Sequence, residues 1–191
     1  MSKVDKKEAK EKIILGIDPG TNIMGYGLIL VEGKQYKPLQ YGVIHLKKYT
    51  THELKLKKIF ERITGLIDEF HPDAVALEAP FYGQNVQSML KLGRAQGVAM
   101  AAALAREIAI VEYSPKKVKQ SVTGNGNASK EQVAAMLKTL LNIEELPKLL
   151  DATDALAVAV CHHFHDGRLQ ARGRTAGWKS FLEENPNRIK G

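Results

Sequence analysis

Two rhythms of apolar and polar residues alternate along the chain, one of period two and one near 3.6. Residues 12–17 form a short apolar run rich in β-branched side chains, closed by Asp18-Pro19-Gly20. Such a run predicts a buried strand followed by a sharp turn. Residues 25–31 and 35–46 alternate well enough to be strands, and Glu32-Gly33-Lys34 between them reads as a hairpin. From 52 to 70, Leu54, Leu56, Ile59, Ile63, Leu66 and Ile67 recur at mostly helical spacing with Lys and Glu between them. Residues 73–78 return to a strand, 84–106 form a long Ala-rich helix, and 108–112 form a fifth strand. Ser114-Pro115 then opens a short helix, with serine capping and proline at the first helical position. Ser129-Lys130-Glu131-Gln132 has capping-box spacing and opens another helix that ends near Asn142. The final helix is expected over 149–164. A hairpin followed by alternating β and α elements predicts an α/β fold, a mixed sheet with helices on both faces.

The final helix carries the first chemical anomaly. Asp151 and Asp154 stand three residues apart in a segment that is otherwise almost wholly apolar. Residues at i and i+3 share a helical face, and burying bare carboxylates is costly without a compensating cation. Helix capping and the helix dipole account comfortably for Asp151 but less well for Asp154; taken alone, the pair fits capping and metal binding about equally. Two further acids shift the balance. Asp18 and Glu78 each sit at the carboxyl end of a predicted strand, where open α/β sheets place their ligand sites. Four carboxylates meeting at one point would raise each other's pKa values unless a hard divalent cation neutralised them.

At this point the chain resembles a known family. Gly16-Ile17-Asp18-Pro19-Gly20-Thr21 with Gly25-Tyr26-Gly27, Leu77-Glu78-Ala79-Pro80-Phe81, Lys91-Leu92-Gly93-Arg94-Ala95-Gln96-Gly97-Val98, Val118-Lys119-Gln120-Ser121-Val122-Thr123-Gly124 and Asp151-Ala152-Thr153-Asp154-Ala155-Leu156-Ala157 are similar, in order, to the RuvC family of Holliday junction resolvases. The resemblance covers about residues 12–163. It implies a ribonuclease H-like fold with a five-stranded mixed sheet flanked by helices, and a homodimer that makes paired symmetric nicks in four-way DNA junctions during recombination and repair. It also implies Mg²⁺ as cofactor, two ions per subunit with Mn²⁺ as a substitute, and 5′-phosphate and 3′-hydroxyl ends. Asp18, Glu78, Asp151 and Asp154 carry over as the catalytic and metal-binding acids. Phe81 carries over as a contact to the junction centre, and Lys119 and Lys130 as contacts to the DNA backbone, with Arg94 a further candidate; Tyr82 receives no role. A RuvA/RuvB-type branch-migration complex is the implied protein partner.

Composition narrows the picture around that resemblance. The chain has 191 residues, enough for one domain with a full core. Lys and Arg number 28 against 21 Asp and Glu, a net charge of +7 that suits a polyanionic partner without requiring one. A single cysteine, Cys161, excludes an intramolecular disulfide framework and fits a reducing, cytoplasmic setting. No apolar run approaches the ~20 residues that cross a bilayer. Residues 1–11 read as a charged, solvated tail, 12–166 as the nuclease domain, and 167–191 as a poorly ordered tail in which Trp178 and Phe181 could dock locally.

Three further patterns have competing readings. Gly93, Gly97, Ala101 and Ala105 recur every fourth residue and form a smooth ridge, suited either to packing on the protein's own sheet or to a dimer interface. Cys161, His162, His163 and His165 invite a zinc assignment, but two neighbouring ligands on a helix do not make a tetrahedral site; solvated helix-end residues are the expectation. Lys116, Lys117 and Lys119 before the Gly124-Asn125-Gly126-Asn127 loop form a solvated basic loop or a phosphate-tracking surface. Two other functions compete with the nuclease. Actin-like and sugar-kinase ATPases also begin with a strand, an Asp and a Gly-Thr phosphate loop, but need a second lobe of similar size. A non-catalytic junction-binding protein would have a decayed site, whereas all four acids are present.

Overall fold

The computed structural model describes residues 11–33, 35–80, 85–145, 147 and 149–173, with side chains to Asp166. Phe81 and Tyr82, and the tail residues 1–10 and 174–191 with Trp178 and Phe181, lie outside the described residues. The predicted hairpin is present as β2 (Ile23–Glu32) and β3 (Gln35–His45), following β1 (Glu11–Asp18). Glu32 pairs with Gln35, and Gly33 takes φ 65°, a left-handed conformation that only glycine adopts without steric cost. The chain continues through α1 (His52–Phe70), β4 (Ala74–Glu78), α2 (Val86–Leu104), β5 (Ala109–Tyr113), α3 (Pro115–Thr123), α4 (Lys130–Leu140) and α5 (Leu150–Gly173). The last helix therefore runs past its expected end at Phe164 into the stretch expected to be a tail. The sheet order is β3-β2-β1-β4-β5, with β2 antiparallel to both of its neighbours, β1 and β3, and with β1, β4 and β5 parallel.

Strand periodicity divides the core into two layers. Leu15 and Ile17 of β1, Leu28 of β2, and Val75 and Leu77 of β4 face α1 and α2, where Ile59, Ile63, Leu66, Ala99 and Ala103 complete one cluster. Ile14, Ile29 and Ala76 point the other way, into a cluster with α3, α4 and α5. By the same alternation Asp18 and Glu78 belong to the α5 face. Helix α5 lies between the sheet and the α3/α4 layer, so its middle turns are buried on all sides: Ala155 through Cys161 are fully buried.

Helix starts follow the capping residues visible in the sequence. Ser114 accepts from the backbone of Lys117 with Pro115 at the first turn, and Ser129 and Gln132 form the reciprocal capping box of α4. Thr51 and Asn85 cap α1 and α2 in the same way. These caps fix the entry points of α3 and α4, and with them Lys119 and Lys130.

Candidate active site

Register places the first two acids. Ile17 pairs with Leu77 across the parallel β1–β4 ladder, so Asp18 and Glu78 emerge side by side at the carboxyl ends of neighbouring strands. The third, Asp151, comes from the first turn of α5, and the fourth, Asp154, follows at the start of the next. What lets that turn approach is the absence of side chains beneath it. Gly16 pairs with Gly27, Gly25 pairs with Asp18, and all three glycines face α5. A Cβ on Gly25 would sit 2.0 Å from the carbonyl oxygen of Asp151, and one on Gly16 would sit 2.1 Å from that of Ala155. On Gly27 it would meet the Leu156 side chain at 2.8 Å. The sheet is hollowed under the helix, and α5 rests backbone against backbone.

The consequence is convergence. Asp18, Asp151 and Asp154 each present a carboxylate oxygen within 4.8 Å of the others, all three half-buried. Glu78 lies outside that tight trio but within its field. Burial, with the charges of Glu78 and Asp154, pushes Asp18 up to about 8. Burial and Asp154 push Glu78 up to about 7, and burial raises Asp154 as well. Left to themselves Asp18 and Glu78 therefore hold protons near neutrality, as expected of buried, crowded carboxylates. An all-oxygen donor set of this charge fits a hard divalent cation, which would relieve the repulsion.

One protein cation already enters the cluster. Lys130, at the first turn of α4, forms an ion pair with Asp154. Its own pKa is raised: burial opposes the charge, but the bond to Asp154 and the fields of Asp18 and Asp151 outweigh it. Lys119, on α3, is close enough to lower the pKa values of Glu78 and Asp154 by its charge. Both predicted lysines thus border the acids. Arg94 sits on the exposed face of α2, where its charge reaches Glu53. Phe81, predicted to contact the junction centre, lies outside the described residues.

The Cys-His segment departs from expectation. Cys161 is fully buried and His162 is 3 % exposed, because the α3/α4 layer covers this stretch of α5. The Cys161 thiol lies 3.2 Å from Ser121 Oγ, and His165 Nδ1 is 2.8 Å from the carbonyl oxygen of Cys161. His162 Nδ1 shares a hydrogen bond of 2.9 Å with Tyr113, the residue paired with Glu78 in the sheet. Burial pushes His162 down to about 4, so it is neutral at physiological pH and adds no cation beside the acids. Among the described residues the only potential metal cluster is the aspartate trio.

The small-residue ridge on α2 is settled on the outward side. Gly93, Gly97, Ala101 and Ala105 are exposed, while Ala95, Ala99, Ala102 and Ala103 pack on the sheet. Val86, Leu90 and Leu104 on the same helix stand 68 %, 57 % and 61 % exposed, an apolar surface without a covering element among the described residues.

A sheet ordered 3-2-1-4-5, antiparallel hairpin first, with acids at the ends of its two central strands and a helix carrying two more across them, is a ribonuclease H-like architecture. Comparison with known proteins narrows the class. The family profile described as "Crossover junction endodeoxyribonuclease RuvC" matches residues 14–162. The RuvC of Cytophaga hutchinsonii is 62 % identical over 189 residues, covering 98 % of this chain and 94 % of that one. The structure of Thermus thermophilus RuvC superposes with a TM-score of 0.74 at 32 % identity, covering 82 % of this chain and 96 % of the other. The same protein in complex with a Holliday junction substrate gives 0.76 at 31 % identity, covering 81 % and 94 %. The chain belongs to the RuvC family of crossover junction endodeoxyribonucleases. No helix among the described residues is long and apolar enough to cross a membrane.

Proposed function

We propose that this protein resolves Holliday junctions by paired, symmetric, Mg²⁺-dependent nicks. The observation that carries this reading is the meeting of Asp18, Asp151 and Asp154 within 4.8 Å at the open edge of the sheet. Asp18, Asp151, Asp154 and Glu78 would hold two Mg²⁺ ions. When bound, such a pair supplies hydroxide from water and neutralises charge on the leaving oxygen. The protein's own groups do the rest. The rigid seat of α5 on the three glycines fixes the acids before substrate arrives, which is the preorganisation that electrostatic catalysis requires. Lys130, at a helix N-terminus, and Lys119 flank the acids and offset the charge of an incoming phosphodiester. Phe81, three residues beyond Glu78, is the candidate for stacking on an unpaired base at the crossover.

Two symmetric cuts call for two symmetric sites, and a two-fold dimer provides them. The outward Gly93–Gly97–Ala101 ridge with Val86, Leu90 and Leu104 supports α2 as the pairing face. A RuvA/RuvB-type branch-migration complex in the cytoplasm is the proposed setting.

The test is purified protein on synthetic mobile and immobile junctions with Mg²⁺ or Ca²⁺. Paired nicks that a ligase reseals are expected in Mg²⁺, since ligation demands 5′-phosphate and 3′-hydroxyl ends. Asp18→Asn should abolish cutting while sparing or strengthening junction binding. Wild-type rates from Asp18→Asn would refute the assignment.

A further inference from the structure

Between Lys47 and Arg62 the chain places six cations against two acids, four of its net seven positive charges, on a surface the acidic site does not use. The fold gathers several of them around a concavity of about 290 Å³ where the end of β3 meets α1, lined by His45, Lys48, Tyr49, Lys58 and Arg62. Arg62 is held there in a fixed pose. Its guanidinium donates to the Tyr26 hydroxyl at 2.9 Å and lies 5.0 Å from the Tyr26 ring centroid. Space for that hydroxyl exists because residue 42 is glycine; a Cβ there would lie 2.8 Å from it. Lys48 stands 5.5 Å over the Tyr49 ring. Neither Arg62 nor Lys48 has an acidic partner among the described residues, whereas Lys58 shares Glu61 at 3.8 Å. Rings rather than acids orient the first two, so their charge is uncompensated.

The concavity is also tied to the catalytic edge. β3 runs parallel in direction to β1, both being antiparallel to β2, so His45 ends on the same edge as Asp18. The backbone N–H groups of Leu46 and Lys47 donate to the Asn22 carbonyl at 2.8 and 3.0 Å, and Lys55 Nζ donates to the Thr21 carbonyl at 3.0 Å. Thr21 and Asn22 belong to the turn that leaves Asp18. Lys55, Lys58 and Arg62 stand at i, i+3 and i+7, one face of α1 about 10 Å long at 1.5 Å per residue.

We propose that this concavity is a second phosphate-binding surface, holding the backbone of a duplex arm that leads away from the acidic site. Arg62 is its fixed anchor, because a planar guanidinium matches phosphate geometry; Lys48, Lys55 and Lys58 follow the strand. The inference rests on the nuclease reading, and continuity with the cutting edge favours DNA over an acidic protein segment.

The test combines Lys48→Gln, Lys58→Gln and Arg62→Gln and measures four-way-junction affinity in Ca²⁺ across a salt series. Each lost phosphate contact should lower the slope of log K against log salt by about 0.9, so a drop of about 2–3 is expected, with affinity falling at least about ten-fold at moderate salt. A triple variant that melts like the wild type and keeps both slope and affinity overturns the proposal and leaves the patch to an acidic protein partner. If the triple variant is poorly folded, Lys48→Gln alone alters one exposed side chain and should still lower the slope by about 0.9; an unchanged slope overturns the proposal. Wild-type protein that binds junctions but never nicks them in Mg²⁺ would sink the nuclease reading instead, so the two failures are distinguishable.

Discussion

Replacing Asp18 with asparagine should stabilise the metal-free protein, and by an amount the structure bounds. Folding raises the Asp18 pKa from 3.8 to about 8, chiefly by burial and then by the fields of Glu78 and Asp154. The folded state therefore keeps a proton that the unfolded chain has released. Its contribution to stability is complete below pH ~4 and is lost as pH rises towards 8. At pH 7 the difference spans about three pKa units, or about 4 kcal/mol at 1.36 kcal/mol per unit. The replacement amide is itself partly desolvated, which leaves ~2 kcal/mol of net gain. For a chain of this size that raises Tm by about 4–8 °C. The assay is thermal melting of wild type and Asp18→Asn in chelator from pH 5 to 8. The wild-type curve should fall with pH across this window and the variant's should be flatter, so the gap widens towards pH 8. Adding Mg²⁺ or Ca²⁺ should raise the wild-type Tm and lift the variant much less. Coincident melting curves across the pH range, or wild-type stability that climbs with pH, would refute the claim that these carboxylates crowd one another.

Three other outcomes follow from the same geometry. Gly25→Ala forces a Cβ against the Asp151 carbonyl, found at 2.0 Å, so α5 must shift; the cost should be about 1–3 kcal/mol, with nicking lost and metal-induced stabilisation weakened in the same melts. Lys130→Ala removes the partner of Asp154 and should slow nicking by about 10²–10³ while Ca²⁺ binding, followed by calorimetry, stays as tight or tightens. Gly97→Arg places a long cation on the exposed ridge of α2 and should shift the protein from dimer to monomer in light scattering; an unchanged mass would remove α2 from the interface.

Much of this architecture was legible in the residue pattern because it depends on local rules. Alternation marked the strands, Ser114, Ser129 and Gln132 marked helix starts, and Asp18 and Glu78 fell at strand ends where ligand sites belong. The same alternation, applied with sheet register, puts both acids on the α5 face. What stayed illegible depends on tertiary layers. Cys161 and His162 read as solvated because nothing local announces that α3 and α4 cover them. The ridge on α2 suits either side of a helix, and only packing decides which. Gly16, Gly25 and Gly27 served as motif letters, yet their role is steric, and a missing side chain leaves no hydropathic trace. The pairing of Lys130 with Asp154 spans separate elements and likewise has no local signature.

Those three glycines also set a limit on how this enzyme can be improved. Strand interiors ordinarily gain from β-branched residues, which is how consensus-style thermostabilisation strengthens a sheet. Here that route is closed at the centre of the sheet, since any added methyl lifts the aspartate-bearing helix off its seat. Robustness has to be engineered at the periphery, and mutational tolerance in β1 and β2 should show a trade-off in which the weakest strand formers are the ones activity demands.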